Sequence, residues 1–218
     1  NILTFTEAGV VGGKIGLNSE GIGLLINGLI TDKDDWERLQ KPFHVRCWEI
    51  LHSTTLKEAV SKIRRGKRSC SANFIIGQQR QLGSGEIVDV ESSPEKTRVI
   101  HPQESVLSHA NHFLDPERLG VKQVLDDERL STLHRFERIN QLLEPIRQRT
   151  KKLSGRTAES MLKDHDGKPE SVCRHANPAF PIDERYQTVV SIVMDLYTHQ
   201  MKGTTRSPCE VSHKSLRF

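Results

Sequence analysis

"GGKIGLNSEGIGLLINGL", residues 12–29, decides the fold. The short apolar runs GGKIGL and IGLLIN flank LNSEG at 17–21, a tight Asn/Ser/Gly turn, so the two runs fold back on each other as an antiparallel hairpin. With residues 1–10 ahead of it, the start of the chain reads as three short strands separated by glycine-rich turns. A doubly wound nucleotide-binding reading fails here, because no glycine fingerprint opens a helix.

Working outward, DKDDWERLQK (32–41) is polar and reads as a loop, followed by two helices. The second carries Leu56, Ala59, Val60 and Ile63 at i, i+3, i+4 and i+7. Thr55 and Glu58 make a capping box at its start. This narrow apolar face needs a flat partner, which SANFIIG (71–77), EIVDVES (86–92) and TRVIHP (97–102) supply as strands. Residues 127–149 form the longest helical candidate, with Leu133, Phe136, Ile139, Leu143 and Ile146 along one side. Pro145 should end or kink it. A short helix at 157–163 and a Pro/Gly/Asp-rich loop lead to TVVSIVMDL (188–196), whose continuous apolar run predicts a fully buried strand. Strands and helices come in segregated runs, which points to an α+β layered domain with antiparallel sheets. The whole of 1–218 reads as one domain, with an irregular tail from about 204 to 218.

Composition narrows the function classes. Net charge is +4 and aromatic residues are 5% of the chain, with none in the one dense basic run, KIRRGKR at 62–68. A nucleic-acid surface needs clustered cations with stacking or base-reading partners, so no nucleic-acid partner is expected and the run reads as a solvated helix end. No apolar stretch approaches the ~20 residues of a membrane span, and no signal peptide opens the sequence. An intracellular protein without a membrane partner is the expectation. The four cysteines, Cys47, Cys70, Cys173 and Cys209, are too dispersed for a disulfide framework.

Three constellations could carry chemistry. Cys173-x-His175 and Cys209-x-x-x-His213 offer the ligand types of a structural zinc, although their spacing matches no finger or ribbon, so no metal is assigned. Cys173 beside Arg174 could be a thiolate nucleophile. Alternation, however, sends one of the two into the core if the other faces a cleft. Asn111, between His109 and His112 in SVLSHANHFL (105–114), could donate to an oxyanion from a strand end; an asparagine also suits a turn, bonding its own backbone. As a strand end, the segment would set His109 and Asn111 on one side and His112 on the other.

Five segments in order resemble a known family: FTEAGVVGGKIGLNSEGIGLLINGL (5–29), VLSHANHFL (106–114), LKDHDGKPESVCRH (162–175), TVVSIVMDL (188–196) and SPCE (207–210). The chain resembles the acyl-coenzyme A:6-aminopenicillanic acid acyltransferase (isopenicillin N acyltransferase) family of cysteine N-terminal-nucleophile hydrolases. The resemblance implies a four-layer αββα fold. It also implies a precursor that cleaves itself, so that the new N-terminal cysteine, with its own α-amino group as base, attacks an amide or thioester. By the same resemblance Asn111 contributes to the oxyanion hole and Arg174 lies beside the nucleophile. Asn27 and His112 are expected on the substrate side of the cleft. No cofactor is implied. The partners implied are a small-molecule amide or acyl-CoA substrate and the N-terminal segment of the same precursor.

The family's nucleophilic cysteine precedes the TEAG segment, and this sequence starts at Asn1, almost on it. None of the four cysteines occupies that place. The fold is therefore expected to be N-terminally incomplete, with a nucleophile encoded upstream and little activity in these residues alone. The other reading is a non-catalytic remnant or binding module of the same fold.

Overall fold

The computed structural model describes residues 1–125 and 130–218. Strands β1 (Ile2–Phe5), β2 (Ile15–Asn18) and β3 (Ile22–Gly28) open the fold as an antiparallel set. Helices α1 (Phe43–Leu51) and α2 (Leu56–Arg64) follow. β4 (Ala72–Gln81), β5 (Ser84–Ser92) and β6 (Thr97–Ile100) then complete one antiparallel sheet in the order β1-β2-β3-β4-β5-β6. The turn between β2 and β3 takes the form the sequence requires. Gly21 has φ +72°, and a Cβ there would strike the Gln79 carbonyl. Asn18 Oδ1 accepts from the Glu20 and Ile22 amides at 2.9 and 3.0 Å, while Nδ2 donates to the Leu51 and Ser53 carbonyls at 2.9 Å each. One side chain therefore shapes the turn and fastens the end of α1 to it.

Alternation divides the sheet into two faces. Ile22, Leu24, Phe74, Ile76, Val88 and Val90 point to one side and pack beneath Ile50, Leu51, Leu56, Ala59 and Ile63 of the helices. The basic run at 62–68 is more than a solvated helix end. Arg68 is buried and donates to the carbonyls of Ile63, Gly66 and Ser93 at 2.9, 3.0 and 2.6 Å. Arg46 donates to the Lys62 and Arg65 carbonyls. Two guanidiniums thus take up carbonyls at the α2 terminus, and burial, with the Arg46 charge beside it, lowers Arg68 to about 10.

The other face carries Asn73, Asp89 and Glu91, all fully buried. A second antiparallel sheet of β7 (Ile192–Asp195), β8 (Gln200–Gly203) and β9 (Lys214–Arg217) reaches this face through Leu196, whose methyls occupy the space a Cβ would need at Gly23 and Gly77. The short helix α3 (Pro116–Leu119) packs near β6. Beyond lie α4 (Ser131–Arg147) and α5 (Gly155–Met161), sharing a cluster of Val106, Leu143 and Met161, with α5 against β7. The result is a helix–sheet–sheet–helix stack.

Several expectations are corrected in detail. β7 spans only four residues, and Val189 is 62% exposed. Among the described residues it is an edge strand paired with β8, and the part of the apolar run at 188–191 belongs to no strand. The C-terminal tail is not wholly irregular, since β9 pairs with β8 and sets Leu216 opposite Met201. α4 continues two residues past Pro145, which sits in its final turn, so the hydrogen bond its missing N–H forfeits lies at the end of the helix rather than in its middle. Positions 127–129 of that predicted helix lie outside the described residues. Among the described residues, no helix is long and apolar enough to cross a membrane.

Candidate active site

SVLSHANHFL is not a strand end. β6 stops at Ile100, and residues 107–114 cross the polar face of the large sheet as irregular chain. Strand alternation therefore does not apply, and the expected sharing of a side by His109 and Asn111 is overturned. The His109 and His112 rings stack on each other at 6.4 Å between centroids, and Asn111 turns to a cavity.

His109 lies inside. Its Nδ1 is 2.6 Å from the Ala110 carbonyl, and its Nε2 is 3.2 Å from Glu91 Oε1 and 3.9 Å from Asp89 Oδ2. The Leu114 amide donates to Glu91 Oε1 at 2.5 Å, and Arg98 reaches Glu91 Oε2 at 3.5 Å. Asn73 Nδ2 donates to Asp89 Oδ1, while Asp89 Oδ2 accepts no hydrogen bond among the described residues. Burial raises the Asp89 carboxyl to about 6, with the Glu91 charge adding to the rise and His109 and Asn73 opposing it.

His112 is buried behind the cavity, with Nδ1 3.0 Å from Thr132 Oγ1 and its ring edge-on to Phe136. The same Oγ1 accepts from the Asn111 amide at 2.7 Å. Burial holds His112 below the usual imidazole range, aided by the charges of His109 and Arg135. His112 braces the segment that presents Asn111 and does not line the cavity itself.

The cavity, about 280 Å³, is bounded by Gly28, Asn111, Thr132, Arg135, Arg174 and Tyr186 among others. Asn111 Oδ1 accepts from Arg135 Nη2 at 3.2 Å, and Nδ2 donates to the Gly28 carbonyl at 3.3 Å. Those two bonds fix which end of the amide is the donor and leave its second N–H for the cavity. Arg174 Nε stands 2.5 Å from Glu170 Oε2, and its guanidinium lies over the Tyr186 ring at 5.1 Å. Burial, with Arg174 nearby, brings Arg135 down to about 10, still protonated at neutral pH. Two guanidiniums and one carboxylate leave this cavity net positive. Asn27 precedes Gly28 on β3, opposite Asn73, and is not among the lining residues.

The sequence profile of the family described as acyl-coenzyme A:6-aminopenicillanic acid acyl-transferase matches residues 3–208. The chain belongs to that family. No curated protein matches it in sequence. Two solved structures of conjugated bile acid hydrolase from Clostridium perfringens, both variants of that enzyme, superpose on it with TM-scores of 0.59 and 0.62. Each is 11% identical, and the match covers 99% of this chain and 80% of the other. The fold is that of the N-terminal-nucleophile hydrolases.

In this acyltransferase-family chain none of the four cysteines lines the Asn111 cavity. Cys47 lies in the core on the buried side of α1, and burial pushes its thiol up to about 12. Cys173 points away from the cavity as Arg174 points in, the division that alternation predicts. Burial and a hydrogen bond with Cys209 raise its thiol to about 11, so Arg174 does not make it a thiolate. A second constellation forms there: one ligand atom each of His165, Cys173, His175 and Cys209 lies within 4.8 Å of all the others. His213, in the set suggested by spacing, instead meets Ser191 Oγ at 3.0 Å.

Sequence reasoning missed Asp89, Glu91 and Arg135. For the acids the pattern was visible, because EIVDVES alternates. What alternation cannot distinguish is a polar face against water from one under a second layer. Arg135 follows Thr132 by three residues and so shares its helix face, a signal that becomes readable once Thr132 is known to hold Asn111.

Proposed function

We propose that this protein works as an amide hydrolase or acyltransferase on a small-molecule amide or acyl-CoA substrate. The attacking thiol would belong to the N-terminal segment of the same precursor and carry the acyl group as a thioester. The observation that carries this reading is the anchored amide of Asn111 at a net positive cavity that contains no cysteine of this sequence. A carbonyl under attack by a thiolate develops negative charge on oxygen. A fixed N–H donor with two guanidiniums nearby stabilises that charge more than it stabilises the neutral ground state. Family membership supports the acyl chemistry, and the positive cavity favours a substrate bearing a carboxylate or phosphate.

The test compares full-length protein with its Asn111→Ala variant on amide and acyl-CoA substrates. Turnover should fall ~10²–10³-fold in the variant, with stability changed by no more than about 1 kcal/mol. Unchanged turnover together with a large loss of stability would reduce Asn111 to a turn-forming residue and sink the proposal.

A further inference from the structure

We propose that His165, Cys173, His175 and Cys209 form a structural zinc site that fastens the segment carrying Arg174. The geometry is the main support. Cys173 Sγ and Cys209 Sγ are 3.6 Å apart, His175 Nε2 lies 3.8 and 3.6 Å from them, and the Nε2 atoms of His165 and His175 are 3.1 Å apart. Tetrahedral zinc with bonds of about 2.3 Å to sulfur and about 2.0–2.1 Å to nitrogen has edges of about 3.8 Å for S···S, about 3.5 Å for S···N and about 3.3 Å for N···N. These four separations lie within about 0.3 Å of those edges, the nitrogen pair being the shortest, and the His165 ligand atom lies within 4.8 Å of both sulfurs. They do not suit a disulfide, whose sulfurs are bonded at about 2.0 Å.

Two imidazoles and two thiols converging on one point are the donor set that selects zinc over the hard cations, which take oxygen ligands. On binding, each thiol gives its proton to solvent, and two thiolates neutralise the metal's charge. All four positions are filled by the protein, so the site is closed and structural rather than catalytic.

The backbone around the ligands is already anchored. The Cys173 amide donates to the Asp164 carbonyl at 2.9 Å, and the Asp164 carboxylate takes both Nε and Nη2 of Arg138. The His175 amide donates to the Pro169 carbonyl at 2.9 Å. Arg174 lies between two ligands and extends from the opposite side of the chain to the Asn111 cavity. Cys209 comes from the connection between β8 and β9, so one ion would join two loops that share no strand pairing.

The experiment is metal analysis of the purified, folded full chain, with a panel of variants. About one zinc per chain is expected, with cobalt(II) exchange giving a tetrahedral thiolate spectrum. His165→Ala and Cys209→Ser should each weaken zinc binding by more than the 10–100-fold typical of losing an outer-shell partner. His213→Ala and Cys70→Ser should bind as the parent does. Chelation should raise hydrogen exchange in 164–188 and 205–213 while leaving β4 and β5 protected. Folded parent protein that takes up no zinc, a Cys173–Cys209 disulfide found by intact mass, or zinc lost on His213→Ala but kept on His165→Ala would overturn the assignment. The parent measurements decide the matter even where a ligand variant fails to fold.

Discussion

The two faces of the six-stranded sheet follow the same alternation and bury opposite chemistry. Toward α1 and α2 the face is aliphatic and aromatic, with Phe74, Ile76 and Val90 at 1% exposure or less. Toward the second sheet the same two strands, β4 and β5, present Asn73, Asp89 and Glu91, buried as completely. The first face stabilises by removing apolar surface from water and is insensitive to pH. The second is held by hydrogen bonds and a histidine–carboxylate cluster, whose desolvation opposes folding. The lesson is that equal burial does not mean equal contribution. Phe74→Ala should show the largest effect, about 3–5 kcal/mol in chemical denaturation, because the helices cannot fully collapse into the space. A loss under about 1 kcal/mol would mean that the helix-covered face is not the main source of stability.

Asp89→Asn should act in the other direction, and only at higher pH. Burial raises the carboxyl from 3.8 to about 6. Between those values the folded chain keeps a proton that the unfolded chain releases, so stability declines as pH rises through the window. The penalty is complete above about 6 and absent below 3.8. Two units correspond to about 3 kcal/mol at most. Asp89→Asn should therefore exceed the parent in stability at pH 8 and converge with it near pH 4, read as the difference between two denaturation series. If the variant is instead the weaker at pH 8, the ionised carboxylate contributes more as a partner for His109 than its burial costs.

The helix-covered face was legible in the sequence because its signals are local. Leu56, Ala59, Val60 and Ile63 declared the helix, and the LNSEG turn declared the hairpin. The polar face was only half legible. Alternation in EIVDVES would set Asp89 and Glu91 on one face, a reading not made from the sequence, and the segment that covers them, 107–114, is irregular and has no period to read. The same irregularity misassigned His109 and His112, which face each other because the chain bends there. Asn111 and Arg174 were singled out by resemblance to a family, and their meeting at one cavity depends on Thr132 and Arg135 of α4, more than twenty residues from Asn111 and about forty from Arg174. Cys173, His175 and Cys209 were visible as ligand types. The fourth member, His165, was hidden because the fold substitutes it for His213, a choice made by loop geometry alone.

The smallest effect separates the two faces most cleanly. Thr55 Oγ1 accepts from the Glu58 amide at 3.1 Å, and Glu58 Oε2 accepts from the Thr54 amide at 2.9 Å, so the box predicted at the start of α2 closes one residue earlier than its usual form. Thr55→Ala leaves one N–H of the first turn without its side-chain acceptor and should cost about 1 kcal/mol. Leu56, Ala59 and Ile63 keep their places in the core, so the loss should appear as faster unfolding or a lower denaturation midpoint with the m-value unchanged. Glu58 is held below the usual carboxylate range by the Thr54 amide and by Lys62, so its charge does not add a rising pH dependence above that range. The Thr55→Ala deficit should therefore be flat between pH 5 and 8, the interval over which the Asp89→Asn difference reaches its full size. A deficit that rises and falls with the titration of Asp89 would show that the faces are coupled through the sheet, and that the helix layer and the buried acids cannot be treated as independent contributions.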